Sequence, residues 1–368
     1  WSYWQEAAVI APDAARRCAA ENAASDILVN FPLLHLLPEF DREMAAGKGC
    51  SKLRASIRDY DFDVVHAEMK STGVAVDCCL YGHNEAGVLL WNGDLEAAKA
   101  GWRKQIEARK KIAALVQKGE RAWGEYLFEE LLCGQALLGG LLAAEEMSMA
   151  RELFSHSFMG TALRDPLVAA EMEQTLCTSA LSWQGPDGYR YYSPETFTLQ
   201  ARAFAAVVDD GEVDVEAMRA WLPRPDALIH IAEHERLFVT HMSGAAHPAM
   251  LCARLYARRL GAWDDAEAIV NGILAIAPLG DGKGLGMQPL VRIEAWRLLA
   301  RCRGARGDAA GACEALESAA SESEAVGYVW MQAAALRDML EWVEADGDAW
   351  QRLQERLASV TSQFCVVG

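Results

Sequence analysis

Basic residues are scarce in this chain. Its 368 residues hold 35 Lys and Arg against 52 Asp and Glu, a net charge of −17. A surface that acidic repels phosphate backbones, which argues against non-specific nucleic-acid binding, and it disfavours anionic membrane surfaces for the same reason. Long apolar runs are also missing. No uncharged apolar stretch reaches the roughly 18 residues that a bilayer span needs, so direct membrane insertion is not expected. The ten cysteines are scattered with no C-x-x-C pair, and there is no N-x-[ST] glycosylation acceptor. Both absences favour a reducing, intracellular compartment over secretion. The chain begins at Trp1, so any targeting segment lies outside it, and cytoplasm and organelle stay equally open.

Strand patterns and catalytic motifs are lacking as well. Short apolar runs such as Val74-Ala75-Val76 are too isolated to build a sheet. No G-x-S-x-G elbow occurs, and serines and histidines are too dispersed to suggest a triad. The loop Leu279 to Pro289 is glycine-rich, but Lys283 is followed by Gly284 and no strand precedes it. That rules out a phosphate-binding loop and leaves an insertion between helices. The paired acids Asp209-Asp210 and Asp264-Asp265 read as loop and helix-start residues that favour a positive helix N-terminus.

What the chain does have is helical periodicity. With 52% hydrophobic residues it can bury a large core, as two or three domains or as one long solenoid. Helices are expected over 4–25, 26–44 and 61–91. An apolar pair over 122–157 is expected to break at Gly139-Gly140. Further helices are expected near 195–208, 214–221, 225–241, 246–260, 325–345 and 348–361. The segment Trp183 to Glu195 is the clearest irregular stretch, with a Pro-Asp-Gly turn and the aromatics Trp183, Tyr189, Tyr191 and Tyr192. Those aromatics suit a binding surface or a pin onto the helices beneath. The segment divides the chain into a helical half over 1–182, the loop 183–195, and a second helical half over 196–368. Ser193-Pro194-Glu195 reads as a helix start, with Ser as cap and Pro in the first turn.

The second half carries the clearest pattern, Trp296 to Ala319. Trp296 and Leu299 are followed by a turn at Gly307-Asp308, then by Ala312, Leu316 and Ala319 at helical spacing. Small Ala312 lets two helices approach, while Trp296, Leu299 and Leu316 fill the seam. The pattern recurs in Gly261 to Pro278 through Ala266, Val270, Ile273 and Pro278, and in Gly93 to Ile106 through Ala98 and Trp102. A fainter copy is Met147 to Phe154, through Ala150 and Phe154. These hairpins resemble tetratricopeptide-type repeats, with Ala300 and Arg303 where that family carries Gly and Tyr. The resemblance implies an all-α solenoid of stacked antiparallel hairpins with irregular repeats. It also implies a non-catalytic scaffold or assembly subunit that holds a protein partner in a stable complex.

Two local features bear on function. Lys99 to Arg121 is the one basic run, comprising Lys99, Arg103, Lys104, Arg109, Lys110, Lys111, Lys118 and Arg121. It is either a docking patch for an acidic partner or a solvated helix face. The segment His230 to His234, HIAEH, spells the H-x-x-E-H of inverted zinc peptidases. On a helix, His230 and His234 lie one turn apart and can share one Zn²⁺, with Glu233 as general base on a metal-bound water. His241 follows two turns later, too far for the same ion, and His247 lies nearby in sequence. Spacing assigns neither Glu314 nor Glu317 as a further ligand. The alternatives to a scaffold are therefore a metal-dependent hydrolase, or a regulatory domain of a longer signalling protein. No catalytic residue, cofactor or metal ligand is assigned on the scaffold reading.

Overall fold

A computed structural model describes residues 86, 89–90, 93–123, 134–178, 193–209, 211, 214–235, 244–278, 287, 289–325, 327–345 and 347–364. The helices expected before residue 86 and most of the aromatic loop at 183–195 lie outside them. Among the described residues the protein is all-α. Its helices are α1 (Leu95–Gln117), α2 (Gly134–Ala143), α3 (Met147–Ser155), α4 (Phe158–Ala162), α5 (Pro166–Thr178), α6 (Pro194–Val208) and α7 (Val215–Trp221). They continue as α8 (Pro225–Glu235), α9 (Pro248–Arg258), α10 (Trp263–Ala275), α11 (Pro289–Ala305), α12 (Ala309–Ala325), α13 (Val329–Met339) and α14 (Asp348–Thr361). The only β feature described is an isolated bridge between Pro278 and Met287. No described helix is long and apolar enough to cross a membrane.

Local chemistry explains the boundaries. Asp94 starts α1 by accepting the Ala97 N–H at 3.0 Å, and Ser193 starts α6 by accepting the Thr196 N–H at 3.2 Å, with Pro194 in the first turn as expected. Between α11 and α12, Gly307 takes φ +81°, its N–H reaches the Gly304 carbonyl at 2.8 Å, and the Asp308 N–H reaches that of Arg303 at 3.1 Å. This closing pattern leaves Asp308 free to cap α12 through the Gly311 N–H at 2.8 Å.

The same pattern closes α2, but there the left-handed residue is Glu145, at φ +60°. A side chain in that region costs roughly 1 kcal/mol or more. The break therefore falls at Glu145, not at the expected Gly139-Gly140, which lies inside α2. A Cβ on Gly140 would sit 3.3 Å from the Trp102 ring, so this glycine serves close packing rather than helix termination.

The two clearest hairpins expected from sequence, α9–α10 and α11–α12, pack as pairs. The contacts of α12 with α11 and α13 are the most extensive, followed by α10 with α11 and α9 with α10. Ala266, Ile269, Val270 and Ile273 of α10 are buried, as are Leu299 of α11 and Ala312, Leu316 and Ala319 of α12. Trp102 is buried, and Trp296 is half-buried against the core. The 3-10 turn Gly244–Ala246 wedges against α2, α9 and α11, and Gln200 of α6 donates to the Ala246 carbonyl at 2.7 Å. This wedge ties the earlier helices to the later ones.

Two expectations need correction. Asp209 lies in the loop after α6, as expected, but at that helix's C-terminal end rather than at a helix N-terminus, and its carbonyl receives Arg259 from the end of α9. The basic run is neither a uniform patch nor a uniform solvated face. Arg109 is fully buried and donates to Gln105 Oε1 at 3.3 Å, because its position on α1 falls on the same face as Trp102, Gln105, Ile106 and Ile112. Lys99 pairs with Glu146 at 2.6 Å, and Lys110 pairs with Glu107 and Glu152 at 2.7 Å each. Arg103, Lys111 and Lys118 remain exposed.

Candidate functional site

Helix α8 presents the one group of metal-ligating side chains that converges among the described residues. Leu228 and Ala232, one turn apart, are fully buried, and Ile229 fits against α10 at Gly272, where a Cβ would collide with it. That packing fixes the helix and turns His230 and Glu233 outward, with side chains 60% and 51% exposed. The two imidazole centroids are 4.0 Å apart, and His230 Nδ1 lies 4.0 Å from Glu233 Oε2. One donor atom from each of His230, Glu233 and His234 lies within 4.8 Å of the others. His234 Nδ1 lies 2.8 Å from the His230 carbonyl oxygen. A carbonyl only accepts, so Nδ1 carries the proton and Nε2 of the neutral ring carries the lone pair.

The other histidine inside the described part of this region does something else. His247 is buried before α9, where its Nδ1 accepts the Ala249 N–H at 3.1 Å and caps the helix. Its proton therefore sits on Nε2, which has no hydrogen-bond partner among the described residues. Burial pushes its pKa down to about 3. The unfolded chain protonates this residue near its ordinary value of about 6.5 while the folded chain stays neutral, so stability falls as pH drops from there toward about 3. The full window is worth on the order of 4 kcal/mol. His247→Asn keeps a good cap and removes the titration. Its melting temperature should fall less steeply than the wild type's between those pH values, and parallel curves would clear His247 of the effect. His241 lies outside the described residues.

Neither Glu314 nor Glu317 joins the α8 group. Glu314 lies 3.9 Å from Arg303, and Glu317 takes both Nη atoms of Arg356 at 2.8 Å, which holds its carboxyl below the usual range. Beside α8, a groove of about 410 Å³ runs between α6 and α8, lined by Thr196, Leu199 and Arg202 on one side and by Trp221, Pro223 and Ile231 on the other.

A second polar constellation is missed by sequence reasoning. Glu294 of α11 is 2% exposed and accepts from Arg254 of α9 at 2.5 Å and from Arg297 at 3.2 Å. Arg297 goes on to Asp338 of α13 at 2.8 Å, and Arg301 reaches Glu145 at 2.9 Å. A row of ion pairs thus links α9, α11 and α13. Burial works against the charge of Arg297, but Glu294 and Asp338 more than offset it, and its pKa is raised. At the edge of the row stands Arg258, an exposed side chain with no hydrogen bond or ion pair among the described residues. Its partial burial and the guanidinium groups of Arg301 and Arg254 pull its pKa down to about 10. The sequence signal for this row was charge placed on helix faces that are otherwise apolar, as in VRIEAWRLLA over 291–300.

No family model, no curated protein and no solved structure matches this chain. Its own residues carry the functional reading.

Proposed function

We propose that the chain is a non-catalytic scaffold, a tetratricopeptide-like solenoid whose stacked hairpins hold a protein partner in a stable complex. The observation that carries this reading is the ion-pair row. In the hairpins α9–α10, α11–α12 and α13–α14, the first helix of each is linked to the first helix of the next by Arg254–Glu294 and Arg297–Asp338. First helices side by side in one layer are what a stacked-hairpin array requires, and such arrays bind along that layer. Arg258 and the partly exposed Arg301 at its edge offer guanidinium forks suited to a partner's carboxylates.

The test is the association state of the protein from its source at low and high salt. A complex that weakens with salt and is lost on Arg258→Glu supports a docking role for this edge, since exposed charges are screened within about 10 Å at 0.1 M. The exposed basic residues of α1 and its C-terminal cap are tested separately by reversing Arg103, Lys111 and Lys118, leaving buried Arg109 in place. A protein that elutes alone at every salt concentration sinks the scaffold. A complex untouched by either set of reversals keeps the scaffold and clears both patches.

The second reading is a hydrolase acting through His230, Glu233 and His234. The convergence of their donor atoms favours it. It requires that zinc-loaded protein cleave a peptide or ester substrate and that Glu233→Gln abolish turnover.

A further inference from the structure

We propose that His230, Glu233 and His234 form a binding site for a divalent transition metal of the zinc class, independently of any partner the scaffold holds. The donors are already gathered to within 4.8 Å of one another. A four-coordinate zinc with bonds of about 2.0–2.2 Å holds its ligand atoms roughly 3.3–3.5 Å apart. The adjustment is about an ångström, and side chains half or more exposed at His230 and Glu233 can make it by turning about their own bonds.

Three features point to a metal rather than to an ordinary solvated face. First, the backbone carbonyl of His230 holds the proton of His234 on Nδ1 and leaves Nε2 as donor. That is the outer hydrogen bond that metal-ligating histidines use to fix tautomer and ring orientation. Second, Glu233 has no arginine or lysine partner among the described residues. Its carboxylate is thus open to a cation, unlike those of Glu317, Glu145 and Asp264, which are held by Arg356, Arg301 and Arg306. Third, the ligands stand on a helix whose opposite face is locked by Leu228 and Ala232, so their relative positions are set by the backbone and not by a loop.

The donor set selects the metal. Two imidazoles and one carboxylate suit zinc, copper or nickel, whereas magnesium and calcium require a shell of oxygens. A protein carrying −17 also concentrates cations at its surface. Three protein donors leave a coordination position for water, and Ile231, the residue after His230, lines the groove beside α8.

The experiment is calorimetric titration of chelator-stripped protein with Zn²⁺, paired with melting curves. One saturable site is expected, with no comparable response to Mg²⁺. His230→Ala and His234→Ala should each weaken binding at least about tenfold, the lower end of what even outer-shell changes cost. Glu233→Gln should weaken it as well. Helix content should stay the same in all three, because these side chains are exposed or half-exposed. Zinc should raise the melting temperature of the wild type and leave that of the doubly substituted His230→Ala, His234→Ala protein unchanged. No saturable zinc binding in the wild type overturns the site. Undiminished affinity in the double variant also overturns it, by placing the metal elsewhere.

Discussion

Glu294→Ala is expected to destabilise the protein by about 3–5 kcal/mol, the range for breaking one partner out of a buried ion pair. Glu294 is 2% exposed and holds two guanidinium groups at once, those of Arg254 and Arg297. Arg297 keeps Asp338 at 2.8 Å when Glu294 is lost. Arg254, whose side chain is 10% exposed, keeps no carboxylate partner among the described residues and bears most of the loss. Burial already holds its pKa below the usual guanidinium value despite Glu294 beside it. Replacing both members, as Arg254→Met with Glu294→Leu, removes the stranded charge along with the pair. Buried ion pairs exchanged for apolar groups of similar volume are often neutral, so the double variant should recover much of the single variant's loss. Denaturant unfolding of the wild type, Arg254→Met, Glu294→Leu and the double variant closes the cycle, with Glu294→Ala measured alongside. A double variant no better than Glu294→Ala would mean that the carboxylate matters for something other than charge compensation.

Ala312→Trp should cost at least the 1–3 kcal/mol typical of overpacking, and roughly more where two helix backbones meet. Ala312 has no exposed surface, and it sits on α12 where that helix packs against α11. Ala315, Leu316 and Ala319 fill the same buried face, so the indole has nowhere to go without pushing the helices apart. The melting temperature is the readout, with Ala312→Ser as a small-residue comparison. An unchanged melting temperature for the tryptophan variant would place Ala312 off the helix contact.

The sequence made the all-α class and the later hairpins legible because their determinants are local. Gly307 and Asp308 mark a turn that α11 and α12 share, and Ala266, Val270 and Ile273 sit at the spacing that buries one face of α10. Ser193-Pro194 marks the start of α6 in the same way. The His230, Glu233, His234 group was readable for a similar reason, since one helix supplies all three. The ion-pair row was not readable. Its partners lie 40 and 41 residues apart, at Arg254–Glu294 and Arg297–Asp338, and no periodicity within one helix encodes such pairing. The basic run misled because charge was read as exposure, whereas Arg109 shares a helix face with Trp102 and Ile112. Gly139-Gly140 misled because glycine signals either a chain break or a close approach, and the indole of Trp102 decides between them only in three dimensions.

Glu145 links residues 156 positions apart when it meets Arg301. Closing a loop of that length costs about 4–5 kcal/mol in chain entropy, whereas a partly exposed ion pair returns only about 0–1 kcal/mol. The pair therefore cannot draw the two regions together. That work falls to the apolar wedge of Ala245 and Ala246 between α2 and α11. The hairpins are therefore expected to form first from neighbouring segments, the wedge to dock them onto α2 next, and the Glu145 pair to be made last. It is a fastener applied to an assembly already closed, so its loss would speed the protein's opening and leave its rate of folding alone.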